Sequence, residues 1–256
     1  MNSSESLATH AHTGPEPSYM FQGREVTLPV LVREARSGVA TFLVDLDAAR
    51  ALIPGPEIEL AEFLPGKTLF SLACIDYIRN DLGDYNEISM AFFVRERGAT
   101  RGFPYLGSWI DFFRGNLGTY IYRLPVNQAF TCEAGCGIWG FPKTVESIEL
   151  DDDGQRATCR LDADGQHVLT MSVPCGGKSS IPESRMSTYS YIDGVAHKTP
   201  FSSAADGVGF SLGGATLELG SHPIADELRS LGLPRKAMMS MWMNHMRGRF
   251  DAPEVL

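Results

Sequence analysis

Lysine is scarce in this chain, with five among 256 residues, at positions 67, 143, 178, 198 and 236. Basic residues as a whole are outnumbered, 22 against 31 acidic ones, for a formal charge of −9. Nucleic-acid phosphates demand a basic footprint and anionic lipid surfaces demand the same, so neither partner is expected. No apolar run reaches the roughly 20 residues that a membrane-spanning helix requires. Cysteine is sparse and odd in number, five in all (Cys74, Cys132, Cys136, Cys159 and Cys175), which argues against a disulfide framework. The opening residues, MNSSESLATHAHTGPEP, hold no apolar core of a secretory signal. A reducing, cytoplasmic setting is therefore expected.

The usual signatures of bound cofactors are missing too. Cys175-Gly-Gly-Lys178-Ser179 has the end of a phosphate loop, but Ser172 stands where the first glycine belongs. Gly207, Gly209 and Gly213 miss the dinucleotide spacing by one residue and read as a turn or bulge. Asp151–Asp153, Asp162 and Asp164 lack the calcium-loop spacing and read as turn residues. The six histidines form no zinc motif, and Cys132 with Cys136 supplies only half a metal site. No metal and no cofactor is expected, which leaves the chemistry to side chains.

What is present is an ordinary globular composition, 43% apolar and 21% charged. Residues 1–20 are polar and expected to be flexible, with a single domain over 21–256. Strands are expected at Val26–Glu34, Val39–Val44, Thr68–Arg79, Ile88–Arg95, Gly118–Leu124, Met186–Ile192 and Ala215–Leu219, all rich in β-formers. Val145–Leu150, Gln155–Leu161 and Gln166–Val173 are separated by Asp-Gly turns, the mark of a meander. Asp45 reads as the N-cap of a helix Leu46–Ile53 stopped by Pro54. Helices are also expected at Val126–Gly137 and Pro223–Leu231, while Ala237–Phe250 fits either period. The pattern defines an α+β protein, predominantly antiparallel β, with a curved sheet or closed barrel around a central pocket.

One lysine differs from the rest. Lys143 follows Ile138-Trp139-Gly140-Phe141-Pro142, an apolar stretch in which proline fixes the backbone, and it opens a strand. An amine held there projects into apolar surroundings. A free lysine is only about 0.04% neutral at pH 7, and desolvation disfavours the ammonium. A neutral amine attacks a carbonyl and forms a Schiff base. The alternative is a lysine that lays its stem over aromatics and keeps its head in water.

The element Phe141-Pro142-Lys143 resembles the catalytic-lysine motif of the acetoacetate decarboxylase family. Three further segments are similar to that family in the same order: Gly23-Arg24-Glu25, Asp47–Pro54 and Tyr85-Asn86-Glu87. The resemblance runs from about residue 21 to 150 and continues more weakly to the C-terminus. It implies an acetoacetate-decarboxylase-like barrel, a homo-oligomer, and a small keto acid or other carbonyl compound as substrate. It implies Lys143 as nucleophile and Glu87 as the catalytic-site glutamate, with the substrate carboxylate near Arg24. Ser71, Tyr85, Trp139 and Phe141 are expected beside the substrate, and Trp109 in an enlarged aromatic wall with Tyr105, Phe112, Phe113, Tyr120 and Tyr122. For Arg24 and Glu87 the plainer reading is a mutual ion pair between strands; for the aromatic run it is core or oligomer contact.

The chain departs from the family at several places. Thr144 stands where type members carry a second lysine, Cys136-Gly137 where they carry Arg-Glu, and Ser71 where a second pocket glutamate sits. Decarboxylation of a β-keto acid is the expected reaction. Schiff-base aldol or dehydratase chemistry, and a non-catalytic small-molecule-binding barrel, are the alternatives.

Overall fold

The computed structural model describes residues 17–99 and 102–256. A short hairpin, β1 (Ser18–Phe21) and β2 (Arg24–Thr27), forms a two-stranded sheet of its own. Next come β3 (Val30–Asp45), α1 (Leu46–Arg50), β4 (Ile58–Leu60), β5 (Glu62–Leu64), β6 (Lys67–Asn80) and β7 (Tyr85–Glu96). Then follow α2 (Leu106–Arg114), β8 (Gly118–Val126), α3 (Ala129–Trp139) and β9 (Lys143–Val145). A meander of β10 (Ser147–Asp152), β11 (Arg156–Ala163) and β12 (Gln166–Pro174) precedes the long strands β13 (Ser179–Ile192) and β14 (Val195–Leu212). The chain ends with β15 (Thr216–Leu219), α4 (Pro223–Ser230), β16 (Met239–Phe250) and β17 (Glu254–Val255).

Seven strands close into a barrel in the order β7-β6-β3-β16-β14-β13-β8, with β8 returning to β7. All these pairs are antiparallel except β13 with β8. Closure joins the two ends of the sheet, although β13 meets β8 only at Thr188 and Tyr189. A four-stranded sheet, β10-β11-β12-β15, covers the outside of β3, β6 and β7. Side chains alternate along each strand, so one residue faces the covering sheet and the next faces the barrel interior. Phe42, Phe70, Leu72, Met90 and Phe92 point outward and are fully buried against Leu161, Leu169 and Met171. Each such side chain contributes roughly 1.5–3 kcal/mol by leaving water. The principal core thus lies between barrel and sheet.

Most sequence expectations map onto this architecture. The Asp-Gly meander is β10–β12, and Asp45 caps α1 by accepting the N–H groups of Asp47 and Ala48, both at 3.0 Å. That helix is shorter than expected, ending at Arg50. The two strands expected between Val26 and Val44 resolve differently: Val26 belongs to β2, and β3 runs unbroken through Gly38. A side chain at Gly38 would press on Val173 of the covering sheet, which is why the strand carries glycine there. The ambiguous segment Ala237–Phe250 is mostly strand β16, with Met241, Met243 and Met246 toward the interior and Trp242 outward. Gly207, read from the sequence as a turn or bulge, is a bulge with φ +65° inside β14, a strand the sequence reading does not contain. Of the expected flexible segment, residues 1–16 lie outside the described residues, and Ser18–Phe21 is strand β1. No helix among the described residues is long and apolar enough to cross a membrane.

Candidate active site

The chain reaches Lys143 by a sharply specified turn. Helix α3 stops at Trp139 because Gly140 takes φ +63°, and its N–H and that of Phe141 return to the carbonyls of Cys136 and Gly135. A side chain at Gly140 would collide with Ile192 and the Tyr191 carbonyl, so only glycine fits. Pro142 then sets the backbone, and Lys143 enters β9 opposite Leu124 of β8. Strand β13 pairs with β8 only at Thr119 and Tyr120; β9 pairs with its later residues, Leu124 to Val126. The lysine therefore lies in the barrel wall, and period-two alternation sends its side chain inward while Thr144 is exposed.

Inside, Lys143 is 8% exposed and its Nζ lies 2.7 Å from Oε2 of Glu87, itself 6% exposed. Glu87 projects from β7, the neighbour of β8 on its other side, opposite Val126. The hydroxyl of Tyr77 donates to the other carboxylate oxygen, Oε1, at 3.2 Å. Tyr77 pairs directly with Tyr85 across β6 and β7, and their rings stack with centroids 4.5 Å apart. Nζ sits 5.1 Å from the Tyr85 ring centroid, within range of cation–π attraction. Burial, and then the charge of Glu87, pushes both phenols well above their usual value of 10. Both remain protonated through the neutral range, and Tyr77 acts there as a donor.

Gly135 of α3 makes room for the lysine stem. A Cβ at that position would lie 2.5 Å from both Cδ and Cε of Lys143. Trp139 and Phe141 stack at 5.7 Å, and the Trp139 indole donates to the Asp251 carbonyl at 2.9 Å, which fixes the aromatic wall.

The ion pair borders a cavity of about 340 Å³ in the barrel interior. Its wall includes Ser71, Tyr77, Tyr85, Trp139 and Phe141, with Val39, Met241 and Met243. Lys143, Glu87, Ser71, Tyr85, Trp139 and Phe141 are thus brought together as expected. Arg24 is not among the lining residues. It is exposed on β2, and its guanidinium lies 3.8 Å over the Phe130 ring of α3. Neither expectation for Arg24, a carboxylate site or an ion pair with Glu87, matches this arrangement, because its hairpin is a separate two-stranded sheet and Glu87 pairs with Lys143.

Trp109 is also elsewhere. Its indole donates to the Phe63 carbonyl at 3.0 Å, and its ring meets Phe63 and Phe112 in a small separate core beneath α2. Tyr105 and Phe113 are exposed, Tyr120 joins the outer core, and Tyr122 donates to Glu227, so the aromatic run does not wall the cavity. The residues that sequence reasoning missed are Tyr77 and Gly135. Tyr77 was within reach, since the register of the β6–β7 hairpin puts it on the same face as Tyr85 and Glu87. Among the described residues no cluster of His, Cys, Asp and Glu has the makings of a metal site.

A barrel wall carrying a buried lysine–glutamate pair at its interior cavity defines the class of site, and the comparisons supply the family. The acetoacetate decarboxylase (ADC) family model matches residues 19–253, so the chain belongs to that family. Among solved structures, it is similar to an acetoacetate decarboxylase from Legionella pneumophila, at 15% identity and a TM-score of 0.64, covering 99% of this chain and 93% of that one. It is similar to the enduracididine biosynthesis enzyme MppR complexed with pyruvate, at 14% identity and a TM-score of 0.60, covering 98% and 94%. MppR complexed with the condensation product of pyruvate and imidazole 4-carboxaldehyde matches at 16% identity and a TM-score of 0.56, covering 89% and 88%. No curated protein matches the chain.

Proposed function

We propose that the protein is a carbon–carbon lyase that works through a Schiff base on Lys143. The observation that carries this reading is the 2.7 Å contact between Lys143 Nζ and Glu87 Oε2, both buried at the cavity. Glu87 takes a proton from the ammonium, and the freed amine lone pair attacks the substrate carbonyl carbon. The carbinolamine hydroxyl then leaves as water, using the proton held by Glu87, and an iminium remains on Nζ. With a β-keto acid, the bond from the α-carbon to the carboxylate breaks, carbon dioxide departs, and the electron pair flows into the iminium to give an enamine. Protonation at the α-carbon and attack of water return the ketone and the free lysine. Tyr77, donating to Glu87 Oε1, holds the carboxylate so that its other oxygen faces the amine.

A second reading has its own support. Arg24 does not line the cavity, so the carboxylate partner that the decarboxylation scheme assigned to it is missing there. The same enamine can attack an aldehyde carbonyl instead of a proton, which gives aldol condensation and dehydration, and a relative of the same fold holds a condensation product. The discriminating experiment supplies β-keto acids and, separately, ketone with aldehyde, then measures carbon dioxide and condensation product. One of the two activities is expected, and Lys143→Ala abolishes it. Turnover that survives this substitution overturns the assignment of the lysine.

A further inference from the structure

The cavity is far less polar than a site for a small acid. Among the described residues lining it, Lys143 and Glu87 are the only charged ones, and they neutralise one another. The remaining polarity is hydroxyl and amide, while β16, across the barrel from β8, carries Met241, Met243 and Met246, and β13 adds Met186. Methionine is flexible and polarisable, and it packs well against alkyl chains and aromatic rings. The cavity of about 340 Å³ falls in the range, roughly 300–1,000 Å³, that encloses drug-sized ligands. A keto acid as small as acetoacetate would leave much of this apolar wall facing water. Ser184 and Met186 of the same wall are exposed or partly so, which marks where the cavity meets solvent.

Resting on the Schiff-base reading, we propose that the substrate is a carbonyl compound with an extended apolar body, alkyl or aryl, and no charge remote from the reacting carbonyl. The carbonyl lies against Lys143 and the body runs along the methionine wall. A charge held within the cavity would be buried with no partner, since Lys143, the one cation among the described lining residues, is already paired with Glu87. Each methylene placed on the wall is expected to tighten binding roughly fourfold.

Reversible iminium formation exchanges the carbonyl oxygen with water, so loss of the oxygen-18 label measures the step without any later chemistry. The panel is acetone, 4-phenyl-2-butanone, 2-undecanone and 10-oxoundecanoate, the last carrying a distal carboxylate. Binding of 4-phenyl-2-butanol, which has no carbonyl, is measured separately by calorimetry. The expected result is exchange at least tenfold more efficient for the two apolar ketones than for acetone or the oxo acid, with measurable binding of the alcohol. Met243→Lys is expected to reverse the order of 2-undecanone and 10-oxoundecanoate. Equal exchange across the panel, or no binding of the alcohol, overturns the substrate class. Alcohol binding without exchange of any ketone supports the apolar cavity and instead defeats the Schiff-base reading.

Discussion

The two faces of β6 and β7 are built to opposite ends. Outward, Phe70, Leu72, Met90 and Phe92 are wholly buried against the covering sheet, and this layer is filled with large side chains. Inward, the alternate positions carry Ser71, Ala73 and Ser89, which are too small to fill the barrel, and then Tyr77, Tyr85 and Glu87. Adjacent residues on one strand thus face a packed core on one side and an open cavity on the other. The outer face is filled, and the inner face leaves a cavity beside a buried ion pair. This division predicts that substitutions one residue apart have effects of different kinds.

The largest effect is expected at the ion pair. Lys143→Met removes turnover, and it also destabilises the fold by about 3–5 kcal/mol at neutral pH, because Glu87 is left buried without its partner. Adding Glu87→Gln restores most of the stability and none of the activity, which thermal melts and assays together check. Next is the outer face: Leu72→Ala costs about 2–5 kcal/mol in chemical denaturation, while the activity of the remaining folded protein stays within twofold. Its neighbour Ser71, changed to Ala, moves stability by less than about 0.5 kcal/mol and alters substrate affinity instead.

Gly135→Ala sharpens the contrast. Helix propensity favours alanine by about 1 kcal/mol, yet the new methyl displaces the Lys143 stem, so kcat falls tenfold or more without a matching loss of Tm. The smallest effect concerns pH. Tyr77 and Tyr85 have folded values raised above the unfolded value of about 10 by burial, so the stability they confer is intact below that pH and is lost as pH climbs above it. Tyr77→Phe should flatten part of that alkaline decline in melts taken above about pH 10.

How much of this was legible in the sequence follows the same division. The meander turns, the Asp45 cap and the strand-opening Lys143 rest on local chemistry, and each is where the residues put it. Strand β14 was not legible, because a wall lined with Ser, Ala and Gly dilutes the alternation that identifies a strand. Helix α2 was not recognised as a helix, but the plainer reading of its aromatic residues, core packing, holds for Trp109 and Phe112, which form a local core with Phe63. The place of Arg24 depends on where a small hairpin docks, which no spacing encodes. Tyr77 needed only the register of one hairpin.

The central claim is that Lys143 is the nucleophile, and borohydride trapping tests it most directly. The protein is mixed with 4-phenyl-2-butanone, reduced, digested and mapped by peptide mass. The account predicts one reduced adduct, on the peptide that contains Lys143, and its absence in Lys143→Arg. An adduct spread over Lys67, Lys178, Lys198 and Lys236, or no adduct at Lys143 with this or any other carbonyl compound, would contradict it.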